Sequence, residues 1–172
     1  DFIRSVLELY KSKTELKGLQ GADENGVPYS VTYLSRKEML NACYGMTVTD
    51  IVRSEIIYAD DWTEEEPDLN AAIEKYNNSK GRFLFYPWGV WTTACARTAV
   101  WSAIFNLKDD YIYSDTDSVK FMHPEKHMEY FEKYNRIVTN QLIEACRHFG
   151  LPEEYVHPKN NKGKEKQLGV WD

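Results

Sequence analysis

Hydrophobic residues recur at helical spacing at the start of the chain. Residues 2–10 place apolar side chains at intervals of three and four, and charged residues fill most gaps until Gly18, which predicts an amphipathic helix. A polar connection over 21–28 leads to a second helical pattern from Ser35 to Tyr44, with Ser35 as N-cap and a glycine as the stop. The two segments predict a helical hairpin.

The middle of the chain changes its pattern several times. β-Branched residues are concentrated in 46–58, which favours extended structure, and the acidic stretch 60–68 predicts a loop. A short helix is predicted over 69–76 and a strand over 82–86. Residues 89–107 are largely apolar, so we expect a long helix that is buried against a sheet.

The last third predicts a β-hairpin followed by a helix. Two short strand-like runs, 111–113 and 118–121, flank Asp-Thr-Asp at 115–117, and aspartate suits a tight turn. Helical periodicity returns over 127–149, and 168–171 predicts a final strand. The order of these elements predicts an α+β fold with helices and a small antiparallel sheet.

Composition narrows the functional classes. The 172 residues carry a net charge of -6, which excludes a surface that binds phosphate everywhere, so contacts with nucleic acid must be local. Three cysteines without a CxxC pair favour a reducing, cytoplasmic compartment. There is no signal peptide and no uncharged apolar run of about 18 residues, so we expect no membrane partner. The chain starts within a helical pattern and stops at Trp171-Asp172, which is typical of a fragment.

Asp115 and Asp117 are the first candidates for chemistry. Two carboxylates across a tight turn offer hard oxygen ligands, which suit Mg²⁺ better than Zn²⁺. An isolated Asp-x-Asp is more often a solvated turn. Here apolar strands on both sides would bury the base of the hairpin and leave only the carboxylates at its tip facing a cleft.

Three ordered motifs resemble those of family B DNA polymerases. Tyr113-Ser-Asp-Thr-Asp-Ser118 matches the YxDTDS signature of the family's C motif. Upstream, Lys37-Glu-Met-Leu-Asn41-Ala-Cys-Tyr44-Gly45 follows the fingers pattern Kx3NSxYG, except that Ala42 replaces the serine. Between them, Thr93-Ala-Cys-Ala96-Arg97 resembles TxxAR and is preceded by Gly89, as in the protein-primed phage and organellar enzymes. Three motifs in the family's order are more specific than any one.

The resemblance implies a domain organisation. Residues 1–45 would form the helical-hairpin fingers element, 46–86 an insertion or palm-connecting segment, and 87–172 a portion of the palm with the catalytic hairpin. The segment 46–86 lies where protein-primed enzymes carry their second terminal-protein-region insertion. That match is by position only.

The resemblance also assigns roles to residues. Asp117 would be the principal ligand, with support from Asp115, for two Mg²⁺ ions about 3.5–4 Å apart in the complete enzyme. Lys37 would contact the triphosphate of the incoming dNTP, Asn41 would position the nucleotide, and Tyr44 would lie near the sugar or the nascent base pair.

The remaining candidates are basic residues and one threonine. Lys13 and Lys17 are further candidates for phosphate contacts, and the alternative for each lysine is a solvated helix residue. Thr93 and Arg97 would contact the phosphates of primer-template DNA. Arg97 lies in an apolar segment, so a buried salt bridge is the alternative for its charge.

The implied function is DNA-directed DNA synthesis in a bacterial or phage-infected cell, and a terminal protein primer is a further partner that the resemblance allows. The family's DxxSLYPS motif, which supplies another metal-binding aspartate, and its KxY element are absent. We therefore expect negligible activity from this chain alone. The alternative is an inactive polymerase remnant that acts as a DNA-binding module. A reverse transcriptase or viral RNA polymerase fits less well, because those enzymes typically carry adjacent aspartates at the hairpin tip.

Overall fold

A computed structural model describes residues 2–83 and 85–172, and within them the fold is α+β, as predicted. The elements in chain order are α1 (Phe2–Leu16), α2 (Tyr29–Gly45), β1 (Glu55–Tyr58), β2 (Trp62–Glu65), α3 (Leu69–Asn78), α4 (Tyr86–Leu107), β3 (Tyr111–Asp115), β4 (Ser118–Phe121) and α5 (Met128–Phe149). β1 pairs with β2 and β3 pairs with β4, and each pair forms a separate antiparallel sheet of two strands.

The chain divides into two compact units. The first unit contains the residues up to Cys43 together with Thr93–Asp172, and the second unit is Tyr44–Thr92. The whole of the 46–86 segment therefore lies in the second unit. Its identity as an insertion stays a prediction, as do the fingers and palm assignments.

One core of the first unit joins α1 to α5. Leu7, Cys146, Leu151 and Val156 are buried together, and Leu142 packs against them from the side of α5. The apolar face predicted for α1 is therefore covered by α5 and by the residues that follow it. Gly150 ends α5 in the left-handed conformation at φ 63°, which glycine adopts without the steric cost of a Cβ atom.

A second core of the first unit holds the β3–β4 hairpin. Ala103 and Leu107 of α4 are buried with Phe131 of α5, and Phe121 stacks on Phe131 at 5.2 Å between ring centroids. Val119 packs against the same cluster. The base of the hairpin is thus fixed by both long helices, and its tip projects from this core.

The start of α2 corrects the prediction. The helix begins at Tyr29 rather than Ser35, so Ser35 lies inside the helix and is not its N-cap. The carbonyl oxygen of Pro28 accepts hydrogen bonds from the amides of Val31 at 3.0 Å and Thr32 at 3.2 Å. Proline suits this position because the first turn of a helix needs no amide donor from it.

Four predictions of extended or loop structure were wrong in whole or in part. The 60–68 segment is not all loop, since β2 forms within it and pairs with β1, while the extended run expected over 46–58 is a strand only at β1. No strand forms at Arg82, Phe83 and Phe85, and Leu84 lies outside the described residues. Residues 168–171 are not a strand either, because the Asn135 side-chain amide pairs with the backbone of Trp171 through two 2.8 Å hydrogen bonds.

The predicted burial of α4 is confirmed only in part. Ala103 and Leu107 are buried, but Trp91 is 69% exposed and Phe105 is 71% exposed. The β3–β4 hairpin and α5 cover one stripe of this helix. Its apolar composition therefore exceeds what the described residues of the chain can bury.

Candidate functional site

The acidic turn, residues Asp115–Asp117, lies at the tip of the β3–β4 hairpin. Asp115 pairs with Ser118 in the sheet register, so Thr116 and Asp117 form the loop between them. Thr116 adopts φ 49° and its hydroxyl donates to Asp115 Oδ1 at 3.0 Å, while the Ser118 hydroxyl donates to the Asp115 carbonyl at 3.1 Å. These bonds fix the turn, and both carboxylates remain exposed.

The carboxylate oxygens of the acidic turn are suitable ligands for a magnesium ion that also contacts substrate. Among the described residues, no three His, Cys, Asp or Glu side chains are grouped as a metal site. Two exposed carboxylates do not make an all-protein cage. Mg²⁺ is commonly held by one or two carboxylates together with water and substrate phosphates, so Asp115 and Asp117 fit an ion of that kind.

A cleft of about 340 Å³ borders the acidic turn. Its walls, all within the first unit, come from α4 and from β3 with its turn: Arg97, Val100, Trp101, Ile104, Tyr111, Ser114 and Thr116. We call it the α4–β3 cleft. The Tyr111 hydroxyl and Ser114 Oγ are 3.0 Å apart, which fixes part of the wall that β3 contributes.

Arg97 of the TxxAR-like motif lines the same cleft as Thr116 of the YxDTDS motif. Its side chain is exposed and lines the α4–β3 cleft beside Thr116. Within the described part of the chain it has no carboxylate partner, so the buried salt bridge considered for it is excluded there. Thr93, one turn earlier on α4, is half-buried and does not line the cleft.

A lysine cluster forms where α1 ends. It consists of Lys13, Lys17 and Lys37, which belong to the first unit. Lys13 Nζ lies 4.6 Å from the centre of the Tyr10 ring. Burial lowers the pKa of Lys13, and the positive charges of Lys17 and Lys37 lower it further. The fold thus brings Lys37 of the second helical segment near Lys13 and Lys17, which lie together on the first.

The exposed side of α2 carries the other nucleotide-binding candidates. Asn41 and Tyr44 follow Lys37 at intervals of four and three residues, which places the three along one side of the helix. Lys37 and Asn41 are exposed, and Tyr44 is 40% exposed. No residue of α2 is buried, so the helix uses little of its surface for folding.

The sequence did not reveal the hydrogen-bonded Asp110–His127 pair at the base of the hairpin. His127 Nε2 lies 2.8 Å from Asp110 Oδ2, and the Asp110 carbonyl accepts the Met122 amide at 2.8 Å. The hydrogen bond from His127 lowers the pKa of Asp110, with a smaller contribution from the charge of Lys126. No spacing rule links an aspartate before the hairpin to a histidine after it, so only the closed hairpin shows the pair.

Comparisons with known proteins do not identify a family or a role for the candidate residues. No protein-family model matches the chain, and no curated protein or solved structure resembles it significantly. Across residues 2–83 and 85–172, no helix combines the length and apolar character needed to cross a membrane. Function is therefore inferred from the ordered motifs, the α4–β3 cleft and the lysine cluster.

Proposed function

We propose that this chain forms the fingers and part of the palm of a DNA-directed DNA polymerase that resembles family B, closest to its protein-primed type. One observation carries the proposal: Arg97 and the acidic turn, which belong to two of the ordered motifs, border the same cleft of the first unit. If the two motif matches were accidental, we would not expect their residues to border one cleft.

The reaction is nucleotidyl transfer to a primer. The 3′-hydroxyl oxygen of the primer attacks the α-phosphorus of a dNTP, a new phosphodiester bond forms, and the bond to pyrophosphate breaks. Asp117 and Asp115 would hold Mg²⁺ at the tip of the hairpin. When bound, the metal promotes loss of the hydroxyl proton and neutralises charge on the leaving pyrophosphate.

The lysine cluster provides charge for the triphosphate of the nucleotide. Burial and mutual repulsion lower the pKa of Lys13, and a polyphosphate would offset both effects by supplying negative charge at short range. Lys37 contributes a mobile ammonium group. On the same side of α2, Asn41 would position the nucleotide and Tyr44 would contact its sugar.

Arg97 would contact a backbone phosphate of the primer-template DNA. Its guanidinium is exposed beside the acidic turn and has no carboxylate partner within the described residues. Such a group can bind phosphate through two parallel hydrogen bonds. A phosphate bound there would hold DNA close to the two carboxylates.

The proposal requires a further carboxylate from another part of the protein. The acidic turn supplies two, and no DxxSLYPS motif occurs in the 172 residues. An aspartate contributed by such a motif would complete the metal site. We therefore expect negligible primer extension from this chain in isolation and template-directed synthesis from a polypeptide that contains both motifs.

The test is primer extension by the longest natural polypeptide that contains this sequence, with Mg²⁺ and the dNTP complementary to the template. Asp117→Ala should reduce synthesis by at least about a hundredfold while leaving DNA binding nearly unchanged, because it removes a metal ligand. Asp109→Ala is the matched control, since Asp109 is also exposed and lies before β3. Near-normal incorporation by Asp117→Ala would rule out the metal-ligand role. Binding of primer-template without synthesis by the unmodified protein would identify an inactive remnant.

A further inference from the structure

The β1–β2 arm, residues 54–66, exposes both of its faces. Ile56 is 70% exposed, Tyr58 63% and Trp62 69%, and every residue of the two strands is exposed. The sheet register places these three side chains on one face, together with Glu64. The rings of Tyr58 and Trp62 contact each other at 5.0 Å between centroids. This face is an apolar surface that no described residue of the second unit covers.

The opposite face of the β1–β2 arm holds an unfavourable charge pair. Glu55 lies directly across from Glu65 in the sheet, and like charges in that position destabilise a sheet. Residues 54–66 include six acidic and no basic side chains. Neither Glu55 nor Glu65 has an ion-pair partner within the described residues. Arg53 and Lys75 line the same pocket as Glu55 without forming an ion pair with it, so a partner that supplies cations at closer range would stabilise the pair of glutamates.

Each strand of the arm has one neighbour within the described residues, so each presents an outer edge. An isolated two-stranded hairpin is only marginally stable in water, and a third strand adds both hydrogen bonds and apolar contacts. A strand added at either edge would alternate its side chains between the two faces. At the edge of β1, one set would lie next to Ile56 and Tyr58 and the other next to Glu55, while Trp62 and Glu65 lie one strand farther away, within reach of long side chains only.

We propose that the β1–β2 arm binds a basic segment of a partner protein as an additional strand, in which lysine or arginine alternates with apolar residues. The apolar residues of that segment cover the Ile56, Tyr58 and Trp62 face. Its cations neutralise the Glu55 and Glu65 pair. DNA does not fit the arm, because six carboxylates repel phosphate. The proposal is independent of polymerase activity, so either can fail without the other.

The test measures binding of a fluorescently labelled peptide that alternates lysine and valine, by anisotropy at several salt concentrations. Glu55→Lys should weaken binding roughly fivefold, since it removes an attractive charge and adds a repulsive one. The same change relieves the repulsion with Glu65, so the temperature of unfolding should stay the same or rise. Glu74→Lys, at an exposed position of α3, changes the net charge equally and should leave peptide affinity unchanged.

A second variant tests the apolar face. Trp62→Thr keeps a residue that favours strands and should weaken peptide binding roughly tenfold, because it removes a large aromatic contact. Trp91→Ala is the control, since that indole is also 69% exposed but lies on α4.

Four outcomes would overturn the proposal. The first is equal binding of a peptide that carries the same lysines and valines in two separate blocks, and the second is equal binding of a peptide that alternates glutamate and valine. The third is competition by a single-stranded oligonucleotide for the same arm residues. The fourth is self-association of the protein that Trp62→Thr abolishes, which would identify a second copy as the occupant.

Discussion

Lys13 is half-buried above the ring of Tyr10 and has a pKa below the ordinary lysine value, first because of burial and then because of Lys17 and Lys37. Its charged form is therefore less favourable in the folded protein than in the unfolded chain. This destabilising contribution of Lys13 has its full size at pH values below the lowered pKa, and it disappears as the pH rises to the ordinary lysine pKa. A residue that weakens the free protein in this way is well suited to bind an anion.

Lys37→Ala tests the lysine cluster. The variant should bind dNTP about tenfold to a hundredfold more weakly, because a charge-assisted hydrogen bond to the triphosphate is lost. Its stability should not fall, since one source of repulsion on Lys13 is removed. Isothermal titration with dNTP and Mg²⁺ measures the affinity, and Lys80→Ala, at an exposed position of the second unit, is the control. An unchanged nucleotide affinity in Lys37→Ala would contradict the triphosphate role.

Two close contacts connect helices and strands of this chain to segments that are distant in sequence. Asp110 connects the start of the β3–β4 hairpin to His127 at the start of α5, and the rings of His127 and Phe121 form a T-shaped pair at 5.8 Å between ring centroids. In the second unit, Gly89 of α4 lies against the short turn at Thr47 and Val48. Both contacts join segments that are distant in sequence, so each can be tested by a single substitution.

The Asp110–His127 pair should make stability depend on pH. The lowered pKa of Asp110 means that the pair stabilises the fold above the ordinary carboxyl pKa and that this contribution is lost as the pH falls through the lowered value. Asp110→Asn should therefore unfold at a lower temperature than the unmodified protein near neutral pH, and the difference should shrink in acid. Thermal unfolding followed by circular dichroism over a pH series measures it. Asp109→Asn should show no such convergence, and a constant difference for Asp110→Asn at all pH values would show that the Asp110–His127 hydrogen bond is not responsible.

Gly89 is required by close packing. A Cβ atom at this position would lie 2.1 Å from Val48 Cγ1 and 2.9 Å from Thr47 Oγ1. Gly89→Ala should therefore destabilise the protein by about 1–3 kcal/mol in urea unfolding. Gly45→Ala is the control, because Gly45 has helical backbone angles and a Cβ added there would meet no atom within 4 Å, so alanine should be neutral or stabilise by up to about 1 kcal/mol. Equal stability of the two variants would show that the Gly89 contact can relax.

Charge is unevenly distributed over the whole molecule. The net charge is -6, yet cationic groups are grouped in the lysine cluster and Arg97 faces a cleft, whereas the β1–β2 arm is acidic. A protein of this kind contacts few phosphates, so we expect its affinity for primer-template DNA to fall only gently with salt.

Arg97→Gln should lower the affinity for primer-template DNA similarly for different sequences. Because one phosphate contact is lost, the slope of log affinity against log salt should also decrease by about 1. Fluorescence anisotropy with labelled DNA over a salt series provides both values. Arg136→Gln, which removes an exposed arginine of α5 outside the cleft lining, should change neither. Loss of affinity with an unchanged salt slope would mean that Arg97 does not contact phosphate.

The local pattern of the chain determined α1, α3, α5 and the β3–β4 hairpin, because helical periodicity, glycine stops and a tight Asp-Thr-Asp turn act over a few residues. It also identified the residues of the acidic turn and of the lysine cluster. Tertiary structure decided which of them meet. Arg97 was a candidate for a buried salt bridge until α4 placed it on the wall of a cleft, and Trp62–Glu65 became a strand only by pairing with Glu55–Tyr58. The Asn135 amide took the place of the strand expected at 168–171. Such outcomes depend on partners far along the chain, and the sequence around each residue does not specify those partners.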